Sequence, residues 1–311
     1  MNKLVVIAGP TAVGKTQLGI DIALQCGGEI ISGDSMLVYR GMDIGTAKPS
    51  LVERKGVPHH LIDIIEPGAT FSAVDFQQAA EKLIFDIQTR GKTPIIVGGT
   101  GLYLKALLEG YTFVAAESNA AYRKEMEGVA EEKGSQYLYE RLRCVDPAAA
   151  ERIHPNNVRR MIRALEVAEL GGETIPETQV LAADQLLRYD AVVVGITMER
   201  ALLHQRINGR VDSMVEAGVL AEVEELLRRG IERDSQCMQG IGYKEFVAHL
   251  AGECSLPEAV ENVKAHTRQF AKRQWTWFRK MPYLHWLEYQ PKKGYASLLE
   301  SFYQTFAGNY L

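Results

Sequence analysis

The chain contains no run of the roughly 18 consecutive apolar residues that a membrane span requires, so no membrane span is expected. Cysteine is scarce. Cys26, Cys144, Cys237 and Cys254 lie far apart and form no C-x-x-C pair. That spacing argues against a structural zinc site or a disulfide framework and fits a reducing compartment. There is no large excess of charge of either sign: 35 Lys and Arg stand against 39 Asp and Glu, a formal net charge of −4. The balance does not advertise a nucleic-acid binder, although a local basic groove remains compatible with it. Internal repeats and low-complexity tracts are missing. A cleavable leader is not expected either, since Leu4-Val5-Val6-Ile7-Ala8 enters a buried strand directly. A cytoplasmic monomer is the expectation.

What the chain does carry begins with Gly9-Pro10-Thr11-Ala12-Val13-Gly14-Lys15-Thr16, a complete phosphate-binding loop pattern. An apolar run precedes it, and Leu18, Ile22 and Leu24 follow at helical spacing, so the loop joins a strand to a helix. Backbone N–H groups of such a loop converge on an anion, and the helix N-terminus adds partial positive charge. Lys15 is expected to reach the terminal phosphate and the Thr16 hydroxyl to ligate Mg²⁺. The loop by itself does not say which phosphate ester it holds.

The length of 311 residues suggests about two domains. Further strands are expected at Glu29–Ser32, Leu61–Ile65, Thr93–Val97 and Ala191–Ile196, and a helix from Ser72 to about Arg90. Strands alternating with helices imply parallel pairing, with ligands outside the carboxyl ends of the strands, where Asp34, the phosphate loop and Thr100 stand. From Asn119 to about Gly171 the chain is charged and helix-prone, with Asp146-Pro147 opening one short helix and Asn156 or Asn157 capping the next. The expected fold is therefore α/β: a P-loop NTPase-like parallel sheet core (1–115 and 190–311) with a helical C-terminal part and an inserted helical domain (116–189).

A nucleotide hydrolase normally carries a second carboxylate at a strand end to hold Mg²⁺ through water. Here the strand ending at Val97 runs into Gly98-Gly99-Thr100-Gly101 with no acid, and Asp63 interrupts its own apolar run. The carboxylate best placed is Asp34. A small-molecule kinase with an acid at that position remains open at this point.

The blocks Gly9–Thr16, Gly33-Asp-Ser-Met-Leu-Val-Tyr-Arg40, Gly41-Met-Asp-Ile-Gly-Thr-Ala-Lys-Pro49 and Val97-Gly-Gly-Thr-Gly-Leu-Tyr103 occur in this order. Arg152-Ile-His-Pro-Asn156, Arg159-Arg-Met-Ile-Arg163 with Ala164-Leu-Glu166, and Gln239-Gly-Ile-Gly-Tyr-Lys244 follow. Together they resemble the bacterial tRNA dimethylallyltransferase family over nearly the whole chain. The resemblance implies that the loop grips the diphosphate of dimethylallyl diphosphate rather than ATP. It further implies transfer to N6 of adenosine 37, beside the anticodon, in tRNAs reading codons that begin with U. Eukaryotic relatives carry a C-terminal zinc finger, for which this chain lacks the Cys and His spacing.

On this resemblance Asp34 is expected to take a proton from the poorly nucleophilic N6 amine, a role worth about 10²–10⁴-fold. The competing reading of Asp34 is an ordinary turn residue. The loop Gly9, Pro10, Thr11, Ala12, Val13, Gly14, Lys15 and Thr16, with Mg²⁺, would neutralise the departing diphosphate. Arg206 and Arg210 share a helix face, and the resemblance favours Arg210 for the diphosphate. Thr100 either positions the acceptor amine or caps the following helix.

The target base must leave its stack, at a cost of about a few kcal/mol, so the anticodon stem-loop needs positive groups around it. With Asp34 and Thr100, the neighbours Ser35, Met36 and Leu37 are expected on the tRNA side. Arg123 and the block Arg159-Arg160-Met161-Ile162-Arg163 are assigned to tRNA as a whole, although Met161, Ile162 and Leu165 read as the inward face of their helix. Gln239, Gly240, Ile241, Gly242, Tyr243 and Lys244 are expected to approach the nucleic acid closely, with Tyr243 and Lys244 as base and phosphate contacts. The family pattern often has arginine where Gln239 and Lys244 stand. From Asn262 to Leu287 there is no acid, and Lys264, Arg268 and Lys272 form a stripe, with Val263, Phe270, Trp277 and Phe278 toward the core. Trp275 reads as core before it reads as a base-stacking platform. His59 and His60 read as structural. The rivals are an isopentenyltransferase acting on a free adenylate and a non-catalytic RNA-binding protein.

Overall fold

In the computed structural model, which describes residues 4–113, 119–171 and 187–310, strands and helices alternate as the apolar runs suggest. In chain order these are β1 (Leu4–Ala8), α1 (Lys15–Cys26), β2 (Glu29–Gly33), β3 (His59–His60), α2 (Ala73–Thr89), β4 (Pro94–Gly98) and α3 (Gly101–Glu109). Then come α4 (Ala120–Lys133), α5 (Ser135–Val145), α6 (Pro147–Arg152) and α7 (Val158–Gly171). The remainder is β5 (Ala191–Met198), α8 (Arg200–Glu216), α9 (Val219–Arg228), α10 (Tyr243–Leu250), α11 (Leu256–Phe278), β6 (His285–Tyr289) and α12 (Gly294–Tyr310). Contacts divide the chain into two units, Met1–Gly110 with Leu181–Leu311, and Tyr111–Val180. The composition change near Ala115 and residues 172–186 of the expected insertion lie outside the described residues.

The first unit is built on a six-stranded sheet of order β3-β2-β4-β1-β5-β6, with every neighbouring pair parallel. Parallel sheets are covered on both faces, which is why these strands are continuous apolar runs rather than alternating ones. Val6, Ile31, Ile96 and Val193 enter the core on one face. Ile7, Ile30, Ile95 and Val194 enter the core on the other. The register runs to Gly33 opposite Gly98, so the chain leaves β2 and β4 side by side and brings Asp34 and Thr100 to one edge of the sheet. The α/β expectation is borne out.

One expected strand is absent. Leu61–Ile65 does not extend the sheet, because Leu61 and Asp63 adopt left-handed conformations with φ of 59° and 56°. Extended pairing there is reduced to His59–His60 and an isolated bridge between Tyr39 and Ile65. Helix α2 starts where its residues specify: Ser72 Oγ accepts from Asp75 N–H while the Asp75 carboxylate accepts from Ser72 N–H, a reciprocal cap. The amino end of β2 holds buried Glu29, bound by Arg90, Lys92 and His60, and the Arg90 hydrogen bonds hold its carboxyl well below the usual range.

The second unit packs α4 to α7 around Met126, Leu138, Leu142, Met161, Ile162 and Leu165. Asp146 caps α6 by accepting from Ala149 N–H at 2.9 Å, with Pro147 in the first turn. For α7 the capping oxygen is that of Asn157, which accepts from Arg160 N–H at 3.3 Å.

Candidate active site

Between β1 and α1 the loop turns through left-handed conformations at Gly9 (φ 143°), Ala12 (64°) and Gly14 (103°). A side chain at Gly9 would place Cβ 2.8 Å from the Ile196 carbonyl oxygen on β5, so only glycine lets the loop leave the sheet here. Lys15 Nζ donates to Pro10 O at 2.7 Å, folding back over the loop. The loop opens onto a cleft whose empty space, counted out to its open mouth, is about 680 Å³. Thr11, Lys15, Thr16, Asp34, Leu37 and Arg210 line it. Ile30, Ile62, Val97 and Phe270 supply apolar wall. Residues from the first strand-loop-helix, the end of β2, and helices α8 and α11 thus meet in one place.

The charges in this cleft act on one another. Burial lowers the Lys15 ammonium to about 7; Asp34 opposes the shift and Arg210 adds to it. Burial likewise lowers Arg210, again against Asp34. Two half-buried cations lining the cleft with one carboxylate, Asp34, form a site short of negative charge. An anion entering it would raise both groups back toward their ordinary values.

Asp34 combines its two sequence readings. Its Oδ1 accepts from Met36 N–H at 2.8 Å, a turn contact that fixes the carboxylate, while Oδ2 has no hydrogen bond among the described residues. Thr100 does not cap α3 with its side chain; its Oγ1 accepts from Ser35 N–H at 3.1 Å. Thr100 therefore ties the end of β4 to the Asp34 turn. Met36 packs against Gly240, where an added Cβ would lie 2.5 Å from the methionine methyl carbon.

Sequence reasoning missed Glu222. Its carboxylate on α9 accepts from the backbone N–H groups of Asp43, Ile44 and Gly45 at 2.7, 2.8 and 3.0 Å. It thereby shapes the turn whose Thr46 and Ala47 line the cleft, and Arg210 Nη2 donates to Thr46 O at 3.4 Å. Tyr243 completes this arrangement and corrects its assignment as a base contact. It is fully buried, its hydroxyl donates to Glu222 Oε1 at 2.7 Å, and burial pushes its phenol far up. Of the same block, Gln239 Nε2 donates to Arg233 O, Ile241 is half-buried, Gly242 N–H donates to Glu245, and exposed Lys244 sits 3.7 Å from Glu245.

The two histidines separate. His60 Nε2 lies 2.8 Å from Glu29 Oε2 at the sheet edge. His59 lines the cleft; its Nδ1 lies 2.8 Å from Val57 O, its buried Nε2 has no hydrogen-bond partner among the described residues, and burial lowers its pKa.

Met161 and Ile162 are corrected as well: both are buried in the second unit, because α7 has to bury its apolar stripe. Arg123 grips the buried Glu166 with Nε and Nη2 at 2.8–3.0 Å, and Arg163 Nη1 reaches the same carboxylate at 2.7 Å. Arg159 and Arg160 are exposed in the first turn of α7, with no acidic partner among the described residues. On α11, Lys264 pairs with Asp212 at 2.8 Å and Arg268 donates to Asn208 at 2.6 Å, leaving Lys272 exposed. Trp277 is 42 % exposed rather than in the core, covering Gly101, and Trp275 is 39 % exposed under the Arg279 guanidinium at 4.5 Å.

The donor set suits a hard divalent cation only in part. The Thr16 hydroxyl and the Asp34 carboxylate both line the cleft and are oxygen donors of the kind Mg²⁺ takes. Among the described residues no group of three His, Cys, Asp or Glu side chains converges, so protein groups alone make no cage. Thr16 and Asp34 are the residues here that would hold a magnesium ion. No helix of the described residues is long and apolar enough to cross a membrane.

A family model described as IPP transferase matches residues 37–281. A tRNA dimethylallyltransferase of Geobacillus thermodenitrificans is 51 % identical over 307 residues, spanning 99 % of this chain and 97 % of that protein. The one from Carboxydothermus hydrogenoformans is 51 % identical over 287 residues, 92 % of each. Among solved structures, the full-length tRNA isopentenylpyrophosphate transferase of Bacillus halodurans matches with a TM-score of 0.73 at 45 % identity, covering 99 % of this chain and 96 % of that one. A eukaryotic dimethylallyltransferase acting on tRNA matches with a TM-score of 0.80 at 29 % identity, over 100 % of this chain and 79 % of that one.

Proposed function

This chain belongs to the IPP transferase family, and from that premise we propose that it transfers the dimethylallyl group of dimethylallyl diphosphate to N6 of adenosine 37. The acceptors are tRNAs reading codons that begin with U, bound by their anticodon stem-loop, and diphosphate is released. The observation that carries the reading is the cleft lined in common by the loop residues Thr11, Lys15 and Thr16, by Arg210 and by Asp34.

The chemistry follows from that arrangement. As N6 forms a bond to the allylic carbon, the bond from that carbon to the diphosphate oxygen breaks and its electron pair leaves with the diphosphate. Loop N–H groups, Lys15 and Arg210 stabilise the growing negative charge without reorganising, which is the most effective form such stabilisation takes. The Asp34 carboxylate accepts the proton lost from N6. Thr100 keeps the Asp34 turn attached to the end of β4. Mg²⁺, held at Thr16, would add charge neutralisation on the diphosphate. Exposed Arg159 and Arg160 supply phosphate contacts from the second unit. The protein works as a monomer in the cytoplasm.

Unmodified anticodon stem-loop and free AMP, each incubated with the protein, dimethylallyl diphosphate and Mg²⁺, distinguish this reading from its rivals by nucleoside mass spectrometry. Prenylated adenosine in the stem-loop alone supports it. Equal transfer to AMP would favour an adenylate enzyme, and no transfer to either would favour a binding-only protein.

A further inference from the structure

The loop and the Asp34 turn belong to different strand ends, yet the proposed reaction needs them held to a fraction of an ångström. The structure assigns that task to Gln274: we propose that it is a positioning residue locking the phosphate loop to the Gly99-Thr100 turn. The inference rests on the function proposed above. Gln274 Oε1 accepts from Thr11 N–H at 2.9 Å, and Gln274 Nε2 donates to Gly99 O at 2.9 Å. The side chain is 6 % exposed and lines the cleft, four residues after Phe270 on the same helix.

Three further features fit the role. A side chain on Gly99 would collide with the Gln274 amide, so glycine there makes room for the clamp. The residue after Gly99 is Thr100, whose Oγ1 accepts from Ser35 N–H beside Asp34. A continuous set of hydrogen bonds thus runs from the phosphate loop through Gln274 to the turn that carries the carboxylate. Finally, the task needs a donor and an acceptor at one tip of an uncharged side chain, which a primary amide provides. Because the Thr11 N–H is taken by this amide, it is not among the donors offered to an anion.

An apolar replacement leaves the Thr11 N–H and the Gly99 carbonyl unpaired in a buried place, and a displacement of ~1 Å at a reacting centre costs about 10²-fold in rate. Gln274→Met should therefore lower kcat about 10–100-fold, weaken inorganic pyrophosphate binding several-fold in calorimetry, and leave tRNA affinity within about twofold. Gln274→Glu separates positioning from packing. Its ionised carboxylate repels the Gly99 carbonyl, whereas the protonated acid donates to Gly99 O and accepts from Thr11 N–H as the amide does. Its rate relative to wild type should rise several-fold as pH falls from about 8 to 6, a change mere space-filling would not produce.

Gln274→Met with wild-type kcat and pyrophosphate affinity would overturn the inference, as would a rate ratio for Gln274→Glu that does not change with pH. The second test stands even if the methionine variant fails to fold. Wild-type protein that binds pyrophosphate and prenylates no tRNA would overturn the functional reading instead, since calorimetry on the two variants still reads the clamp.

Discussion

The two units treat positive charge in opposite ways. In the sheet unit half-buried Lys15 and Arg210 line a cleft where Asp34 is the acid acting on both, and desolvation lowers both cations. In the helical unit Arg123 and Arg163 are neutralised by buried Glu166, and Arg141 binds Glu169 in a two-pronged pair at 2.6–2.7 Å. Cations left short of partners mark where an anion is to come, whereas cations already paired hold a fold together. Sequence alone does not show this difference, because an arginine reads the same in either role.

The largest effect expected from this contrast is at Lys15. Lys15→Met should lower prenyl transfer by about 10²–10³-fold, the usual cost of removing one preorganised donor to developing charge. The same change should raise the melting temperature. Lys15 titrates at about 7 in the fold against 10.5 ordinarily, so the unfolded chain binds more protons between those values. Wild-type stability therefore rises with pH across that window, and the variant should gain most below pH 7, where the buried charge costs the fold most. A variant melting below wild type at pH 6 would show that Lys15 is not under-partnered.

Glu166→Gln makes the complementary change. Two arginines and the Asn119 N–H lose a charged acceptor, and the helical unit should lose about 2 kcal/mol, read by hydrogen exchange on α4 and α7. Burial pushes the Glu166 carboxyl up, but hydrogen bonds from Arg123, Arg163 and Asn119 outweigh it and leave the value lowered. Its contribution is thus present above the unfolded value near 4.5 and fades as pH falls through the lowered folded one. Exchange unchanged by the substitution would remove Glu166 from the fold's supports.

Smaller effects sharpen the comparison. Tyr243→Phe removes one hydrogen bond to Glu222 and should cost about 1 kcal/mol in denaturant melts, with tRNA affinity unchanged. A loss of tRNA affinity at unchanged stability would return Tyr243 to the RNA. Arg160→Ala should flatten the salt dependence of tRNA binding by about one unit of slope, while Arg123→Ala, whose cation is engaged by Glu166, should act mainly through stability. Equal slope changes in both would erase the distinction between paired and unpaired arginines.

The parts legible in the sequence were those carried by neighbouring residues. The phosphate loop needs glycines and Lys15 at fixed local spacing, and the caps at Ser72 and Asp146 need only the next three residues. Groups that work across the fold were not legible. Glu222 meets its turn 177–179 residues away, and Gln274 meets Thr11 263 residues away, so no local pattern singles out either. Leu61–Ile65 read as a strand because its residue types favour one, while the left-handed turns at Leu61 and Asp63 break it. Met161 and Ile162 share the inward stripe of α7 with Leu165 and pack in its core, while Arg159 and Arg160 immediately before them stay exposed, so a contiguous sequence block does not define one functional face.

The central claim is that a diphosphate cradle and one carboxylate act together in a single cleft. Single-turnover transfer to an unmodified anticodon stem-loop by Asp34→Asn, with stem-loop binding measured in parallel, tests it most directly. The account predicts a rate lower by about 10²–10⁴-fold with binding retained. A variant that binds the stem-loop and prenylates it at the wild-type rate would contradict it.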